Sequence, residues 1–104
     1  MAAQVSNKAE LLHRLSENGK LIRSFGIDRI SLFGSFARDT RIKKNSDIDL
    51  VLDFKPGKKS FDNLVDLGFF LEELLGRKVE LLTRESLKSD TGKQILASAE
   101  DIAI

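Results

Sequence analysis

Two aspartates separated by one residue form the part of the chain best suited to hold a metal ion. Asp47 and Asp49 lie in residues 47–54, where acidic and apolar side chains largely alternate. This pattern predicts a β-strand in which both carboxylates project from one face, with their backbones roughly 6–7 Å apart. Like charges repel unless a cation lies between them, and Mg²⁺ prefers carboxylates together with substrate phosphates. For the pair alone, the alternative of a strand start and a solvated edge residue stays open.

A Gly-Ser pair closes the preceding apolar segment. Residues 29–35 are rich in Ile, Leu and Phe and predict a strand that ends in a tight turn at Gly34 and Ser35. The backbone N–H groups and the hydroxyl of such a turn suit a phosphate group. Gly-Ser pairs are common in ordinary turns, so this one is informative only beside the strand of Asp47 and Asp49. Together the two segments predict a phosphate site next to a metal site.

Helices are predicted in three regions around these strands. Apolar residues recur at helical spacing in residues 8–25, with Gly19 as a candidate break. Residues 61–75 give the clearest helix, apolar around more than half of its circumference, with Ser60 as its N-cap. Residues 85–104 favour one or two weak helices.

The strands predict a small mixed sheet. Residues 78–83 are the third strand. The short connection between the first two strands favours an antiparallel pair, whereas the helix between the second and third implies a right-handed parallel crossover. We therefore expect an α+β fold with a mixed sheet of three to four strands flanked by helices, in a single domain over residues 1–104.

Composition excludes several functional classes. The chain of 104 residues has no cysteine, one histidine and a net charge of +1. These values exclude a disulfide scaffold, a thiolate nucleophile and a Cys- or His-rich zinc site, and they give no overall attraction to nucleic acid or anionic membranes. Trp and Tyr are absent and no apolar stretch approaches a membrane span, so we expect no direct nucleic-acid binding, no membrane and a cytoplasmic protein. His13 is expected at the surface or at the core boundary.

The two motifs resemble those of a known enzyme superfamily. Residues 33–35 and 46–51 look like the motif of the DNA polymerase β-type nucleotidyltransferases, and the wider stretch 29–83 is similar to the minimal nucleotidyltransferase (MNT) family. In family members the spacing between the Gly-Ser pair and the first Asp is commonly one residue shorter than residues 36–46 here. The additional residue falls in a polar loop, where insertions are tolerated. The resemblance implies a polymerase β-like nucleotidyltransferase core.

The resemblance also implies roles for individual residues. Gly34 and Ser35 would hold the phosphates of a nucleotide, and Asp47 and Asp49 would bind Mg²⁺. The third carboxylate of the superfamily lies on the next core strand and is usually Asp, where this chain has the longer Glu80. Glu80 is a metal ligand or a general base, with an ordinary strand-end acid as the alternative. Catalysis is thus expected from Asp47, Asp49 and Glu80, with ATP as substrate.

Basic residues cluster in the two loops that flank the strand of Asp47 and Asp49. Arg38 lies nearest the Gly-Ser turn and is the candidate for contact with the triphosphate. The others are expected in solvated loops: Arg41, Lys43, Lys44, Lys55, Lys58 and Lys59. Asp53 shares the face of Asp49 but lies near the following turn, so we expect it at a solvated strand end.

The residues and the resemblance together predict Mg²⁺-dependent transfer of AMP from ATP to an acceptor hydroxyl. The length leaves no room for a second, acceptor-binding domain, so we expect a partner protein to supply the hydroxyl. MNT proteins commonly act as antitoxins beside HEPN toxins, which are RNases, and some adenylylate a tyrosine of the toxin. The helix at 61–75 is consistent with a surface for this partner or for a homo-oligomer. Two alternatives stay open, namely a non-catalytic antitoxin that acts by binding and nucleotidyl transfer to a small molecule or RNA.

Overall fold

The computed structural model describes residues 3–104, in which helices precede, separate and follow the strands of one sheet. The helices are α1 (Lys8–Glu17), α2 (Gly19–Ser24), α3 (Gly34–Arg38), α4 (Phe61–Leu75) and α5 (Asp90–Ser98). The strands are β1 (Ile27–Phe33), β2 (Ile48–Phe54), β3 (Val79–Thr83) and β4 (Glu100–Ile102). A 3₁₀ turn, Arg84–Ser86, follows β3.

The four strands form one mixed sheet in the order β3-β2-β1-β4. Strand β1 pairs antiparallel with β2 on one side and with β4 on the other. Strands β2 and β3 run parallel and are connected through α4. The predicted α+β fold, its antiparallel first pair and its parallel second pair are therefore confirmed.

The end of the chain differs from the sequence prediction. The sequence favours helices throughout residues 85–104, but α5 ends at Ser98 and is followed by strand β4. A strand of 3 residues is too short to show a hydrophobic period. Pairing with β1 and the burial of Ile102 stabilise β4, so its formation depends on the folded sheet and not on the local sequence.

The helices begin and end at residues with clear capping roles. Helix α4 has the predicted bounds, because the Ser60 hydroxyl accepts a hydrogen bond from the N–H of Asn63 and Gly76 ends the helix with a φ of 67°. The predicted break at Gly19 separates α1 from α2. A Cβ on Gly19 would lie 2.6 Å from the carbonyl carbon of Ile104, so the chain end requires glycine there. Within residues 3–104, no helix is long and apolar enough to cross a membrane.

The core lies between one face of the sheet and helices α1, α2 and α4. On β2, the apolar side chains of Ile48, Leu50 and Leu52 are buried in this layer. The helices contribute buried residues at helical spacing: Leu11, Leu15, Ile22, Leu67, Leu71 and Leu75. Because side chains alternate along a strand, Asp49 and Asp53 project from the opposite face. The fold thus directs the acids of β2 away from the core.

Candidate active site

Asp49 lies in the middle of a row of residues that crosses three strands. It pairs with Phe33 at the end of β1 and with Glu80 in β3. The side chains of Asp49 and Glu80 lie close enough for a hydrogen bond between their carboxyl groups to raise the pKa of Asp49. We call this contact the acidic pair. The structure therefore places Glu80, the third carboxylate predicted from the sequence, next to Asp49.

The Gly-Ser turn lies against the acidic pair. Gly34 follows Phe33 and begins α3 with a φ of 78°. A Cβ at Gly34 would lie 2.2 Å from Oδ2 of Asp49, which is closer than real Cβ contacts come. Glycine is thus required both by the left-handed backbone and by the close approach of the carboxylate. The predicted phosphate turn and the predicted metal-binding strand touch at Gly34 and Asp49.

The acids in this site repel one another. Burial, the hydrogen bond with Glu80 and the charges of Glu80 and Asp47 raise the pKa of Asp49 from 3.8 to about 6. The positive charge of Arg38 acts in the opposite direction but does not cancel these effects. A cation relieves repulsion of this kind. Since Mg²⁺ needs only one or two carboxylates besides substrate phosphates, the acids present fit this ion.

Asp47 immediately precedes β2 and is exposed. Its charge is close enough to raise the pKa of Asp49. Within residues 3–104, however, no three His, Cys, Asp or Glu side chains are grouped as ligands for one ion. The structure therefore brings Asp49 and Glu80 together and leaves Asp47 beside them, outside a closed ligand group.

Helix α3 carries the other predicted nucleotide-binding residues. Phe36 is fully buried and anchors the helix in the core, while Ser35 is partly buried directly after Gly34. The first backbone N–H groups of a helix have no partner within the helix. Arg38 is exposed at the other end of α3, within electrostatic reach of Asp49. All three predicted residues thus belong to one short helix whose start touches the acidic pair.

The sequence matches a family model that describes a nucleotidyltransferase domain, over residues 9–102. The chain belongs to this nucleotidyltransferase family. The match spans every predicted site residue, from Gly34 to Glu80. The residues of the acidic pair therefore lie within the range that the family model matches.

Curated relatives of this nucleotidyltransferase carry the name protein adenylyltransferase. A Methanocaldococcus jannaschii protein named "Putative protein adenylyltransferase MJ0435" is 40% identical over 82 residues, which are 79% of this chain and 86% of the relative. "Protein adenylyltransferase MntA" of Thermococcus cleftensis is 38% identical over 77 residues, 74% of this chain and 76% of the relative. The expectation of a transferase enzyme is therefore confirmed.

Solved structures share the fold of this nucleotidyltransferase. One described as "Structure of putative minimal nucleotidyltransferase" has a TM-score of 0.76 and 28% identity, and it covers 94% of this chain and 96% of that chain. Another, "Crystal structure of the toxin-antitoxin with AMP-PNP", has a TM-score of 0.67 and 23% identity, covering 86% of this chain and 70% of that chain. The first likeness confirms the minimal nucleotidyltransferase core, and the second shows a common fold.

The prediction that Asp53 is a solvated strand end is wrong. In this nucleotidyltransferase its carboxylate accepts hydrogen bonds from Nε of Arg84 at 2.9 and 3.0 Å and from Nε of Arg29 at 3.1 Å. Only 21% of the Asp53 side chain is exposed. Both arginines are distant along the chain, so no local pattern reveals these ion pairs. Asp53 links β1, β2 and the 3₁₀ turn and does not join the acidic pair.

The predictions for the histidine and for the basic loops are confirmed. His13 is exposed on α1 and pairs with Glu17. The basic side chains of the two loops are exposed on the nucleotidyltransferase surface: Arg41, Lys43, Lys44, Lys55, Lys58 and Lys59. Lys59 forms an ion pair with Glu85 at 2.5 Å.

Sequence reasoning gives no role to Arg77, which the structure buries near the site. Only 7% of this residue is exposed, and the loss of solvation lowers the pKa of its guanidinium. The guanidinium donates hydrogen bonds to main-chain carbonyls in the loop before Asp47 and lies over the ring of Phe36. A lone arginine between a helix-ending glycine and a strand has no distinctive sequence pattern, so the structure is needed to find it.

Proposed function

We propose that this nucleotidyltransferase transfers AMP from ATP to a hydroxyl group of a partner protein and requires Mg²⁺. The observation that carries the proposal is the contact of the Gly34 turn with the acidic pair of Asp49 and Glu80. A turn suited to phosphate lies beside acids suited to a cation, as binding of a metal–triphosphate complex requires. The names of the relatives support AMP as the transferred group and a protein as the acceptor.

The residues of α3 bind the nucleotide in this proposal. Gly34 lets the backbone approach the phosphates closely, because a side chain there would displace the Asp49 carboxylate. Ser35 contributes its N–H and its hydroxyl to the same phosphates. Arg38 contacts the triphosphate from the exposed end of the helix, and its positive charge offsets part of the substrate's negative charge.

The three acids form the proposed metal site, and one of them, Glu80, also accepts a proton. Asp47, Asp49 and Glu80 would hold Mg²⁺, and the bound ion would supply charge neutralisation for the phosphates during transfer. Glu80 is exposed and is therefore accessible to the acceptor, whose hydroxyl proton it accepts. The hydroxyl oxygen forms a bond to the α-phosphorus of ATP, the bond from that phosphorus to the bridging oxygen breaks, and pyrophosphate leaves.

The partner in this proposal is a toxin of the HEPN type. The resemblance to MNT antitoxins motivates this choice, and a toxin–antitoxin structure with AMP-PNP has the same fold. Two phenylalanines on α4, Phe61 and Phe69, are exposed and suit contact with a protein.

Label transfer in a lysate of the host tests the proposal. The purified protein and Mg²⁺ are incubated with α-labelled ATP, beside a γ-labelled control and the variants Asp49→Asn and Asp53→Asn. We expect a protein band labelled from the α position only, reduced at least about 100-fold in Asp49→Asn because an acid of the metal site is lost. Asp53→Asn should keep the label, since Asp53 lies on the same strand face but pairs with arginines.

Two results would contradict the proposal. A labelled band that persists in Asp49→Asn would mean that the acidic pair does not serve the transfer. The absence of any dependent band, combined with wild-type and Asp49→Asn proteins that neutralise the toxin equally well, would favour an antitoxin that acts by binding alone.

A further inference from the structure

We propose that Arg77 is a positioning residue for nucleotidyl transfer, which fixes the loop that carries Asp47 and connects it to the helix that carries Ser35. This inference rests on the proposed function for its catalytic consequence. Its structural part, the immobilisation of residues 43–47 by a buried guanidinium, stands on the contacts of this chain alone. Arg77 contacts main-chain carbonyls and the ring of Phe36 and not the acidic pair, so its effect is transmitted through the backbone that it holds.

Arg77 binds four main-chain carbonyl groups. Its Nη1 donates hydrogen bonds to the carbonyl oxygens of Lys43 at 2.9 Å, Lys44 at 3.3 Å and Ser46 at 2.8 Å. Its Nε donates to the carbonyl oxygen of Val5 at 2.6 Å. One side chain thus converges on three carbonyls of the loop and attaches that loop to the start of the chain.

Residues 43–46 of this loop also form a turn that is closed by two hydrogen bonds. The N–H of Lys43 donates to Oγ of Ser46 at 2.8 Å, and the N–H of Ser46 donates back to the carbonyl of Lys43 at 3.1 Å. Arg77 therefore holds a preformed turn and not an extended segment. A turn fixed at three carbonyls leaves little freedom for the residue that follows it.

Asp47 is held on both sides by consecutive residues. The carbonyl of Ser46, before it, binds Arg77, and the N–H of Ile48, after it, binds the carbonyl of Lys78 at 3.0 Å. The direction in which the Asp47 carboxylate leaves the backbone is set between these two contacts. Asp47 lies outside the acidic pair, so the position of its carboxylate depends on the backbone on either side of it.

The same guanidinium reaches the phosphate turn. Its Cζ lies 4.9 Å from the ring centroid of Phe36, which is fully buried and directly follows Ser35. Stacking of a cation on an aromatic face is attractive, and arginine combines it with a planar set of five donors. A lysine offers one ammonium group, which cannot stack on the ring and reach the separate carbonyls at once.

Arg14 provides a matched control within the same protein. It is partly buried, and its Nη1 also donates to main-chain carbonyls, those of Ala3 and of Leu74, the latter at 3.0 Å. These contacts hold the start of the chain and the end of α4 directly, and they reach the loop only through Gln4, whose side-chain amide donates to the carbonyl of Lys44 at 2.6 Å. Loss of Arg14 therefore reports the general effect of removing a buried arginine.

The experiment compares Arg77→Lys, Arg77→Met and Arg14→Met by amide hydrogen exchange and by kinetics. We expect exchange of residues 43–48 to accelerate at least about fivefold in Arg77→Lys and clearly less in Arg14→Met, since local opening follows local contacts and Arg14 has no direct bond to the loop. In the transfer assay, Arg77→Lys should lower kcat about 10- to 100-fold and raise the half-saturating Mg²⁺ concentration, the effect typical of residues that orient metal ligands. KM for ATP should change less than kcat.

Several outcomes decide the matter. Wild-type exchange in residues 43–48 of Arg77→Lys, or an equal loss of kcat in Arg14→Met, would overturn the positioning role. If Arg77→Met does not fold, Arg77→Lys alone gives the decision. If the wild-type protein transfers no label, the proposed function fails, and the exchange data still establish or refute the immobilisation of the loop.

Discussion

The contact between Gly34 and Asp49 is the most constrained feature of the site at the scale of single residues. The carboxylate occupies the position where any other residue would place a Cβ, and the backbone there is left-handed as well. Glycine at this position is thus more than a turn residue, because it lets the Asp49 carboxylate lie directly against the backbone of the turn.

Replacement of Gly34 by alanine should therefore impair both stability and transfer. Gly57→Ala is the control, because Gly57 has a similar φ of 76° but nothing within 4 Å of a Cβ. The left-handed backbone alone should cost about 1–3 kcal/mol in either variant. Gly34→Ala should cost more and reduce transfer by at least about tenfold, as the displaced carboxylate leaves the acidic pair. Urea denaturation measures the loss of stability, and the label assay measures the loss of transfer. Equal stability and equal transfer in Gly34→Ala and Gly57→Ala would contradict the prediction.

The raised pKa of Asp49 predicts how stability depends on pH without divalent ions. The folded state holds the proton up to about 6, whereas the unfolded chain releases it near 3.8. The stabilisation from this group is therefore complete below about 3.8 and is lost as the pH rises through about 6. Denaturation curves across this range should show that loss in the wild type and not in Asp49→Asn, and Mg²⁺ at neutral pH should restore stability to the wild type. Parallel curves for the two proteins would contradict the prediction.

The residues of the site differ in how far the sequence reveals them. Asp47, Asp49, Gly34 and Ser35 belong to two short segments whose spacing is visible along the chain, so their chemistry can be predicted. The partners of Asp53 and the carbonyls around Arg77 come from distant segments, and their contacts are created by the sheet.

At the scale of elements, α4 has two different surfaces. Its leucines at 67, 71 and 75 are fully buried, whereas Phe61 is 78% exposed and Phe69 is 66% exposed. Exposed aromatic side chains contribute nothing to the core, and aromatic residues are enriched at protein interfaces. This division agrees with the prediction that α4 is apolar around more than half of its circumference.

We expect Phe69→Ser to weaken modification of the partner without destabilising the protein. A lost aromatic anchor typically raises KM for a protein acceptor about tenfold or more. Leu21→Ser is the control, because Leu21 is 53% exposed on α2. Titration of the partner in the label assay, together with melting temperatures, gives the comparison. An unchanged KM for the partner in Phe69→Ser would place the docking surface elsewhere.

Long helices with clear caps can be predicted from the sequence more accurately than short elements can. Helix α4 is long, periodic and bounded by Ser60 and Gly76, so its limits can be read from the sequence. Strand β4 lacks all three properties and forms only because β1 presents an unpaired edge. Helix α3, of 5 residues, begins at the predicted Gly-Ser turn and is too short to show a helical period.

At the scale of the whole molecule, the strand order places the acidic pair on β2 and the edge strand β3, and it places β4 at the opposite edge. The acidic pair belongs to β2 and β3, while Ile102 on β4 pairs with Ile30 on the far side of β1. Ile102 and the acidic pair therefore lie in separate parts of one sheet.

Ile102→Ala should test this separation. Truncation of a buried isoleucine typically costs about 2–5 kcal/mol, and the residue is only 7% exposed. Transfer measured well below the melting temperature should stay within about twofold of the wild type, because the acidic pair is untouched. Leu21→Ala, at an exposed site, should change stability by less than about 0.5 kcal/mol. A large loss of kcat in Ile102→Ala would show that the edge strand is coupled to the site.

The row that joins Phe33, Asp49 and Glu80 has a consequence for the order of folding events. Its members come from β1, β2 and β3, and β3 follows the whole of α4 along the chain. Contacts between segments so far apart along a chain form late, whereas helices form quickly and locally. Recovered nucleotidyl transfer should therefore report the formation of these non-local strand contacts, which recovered helix content does not measure.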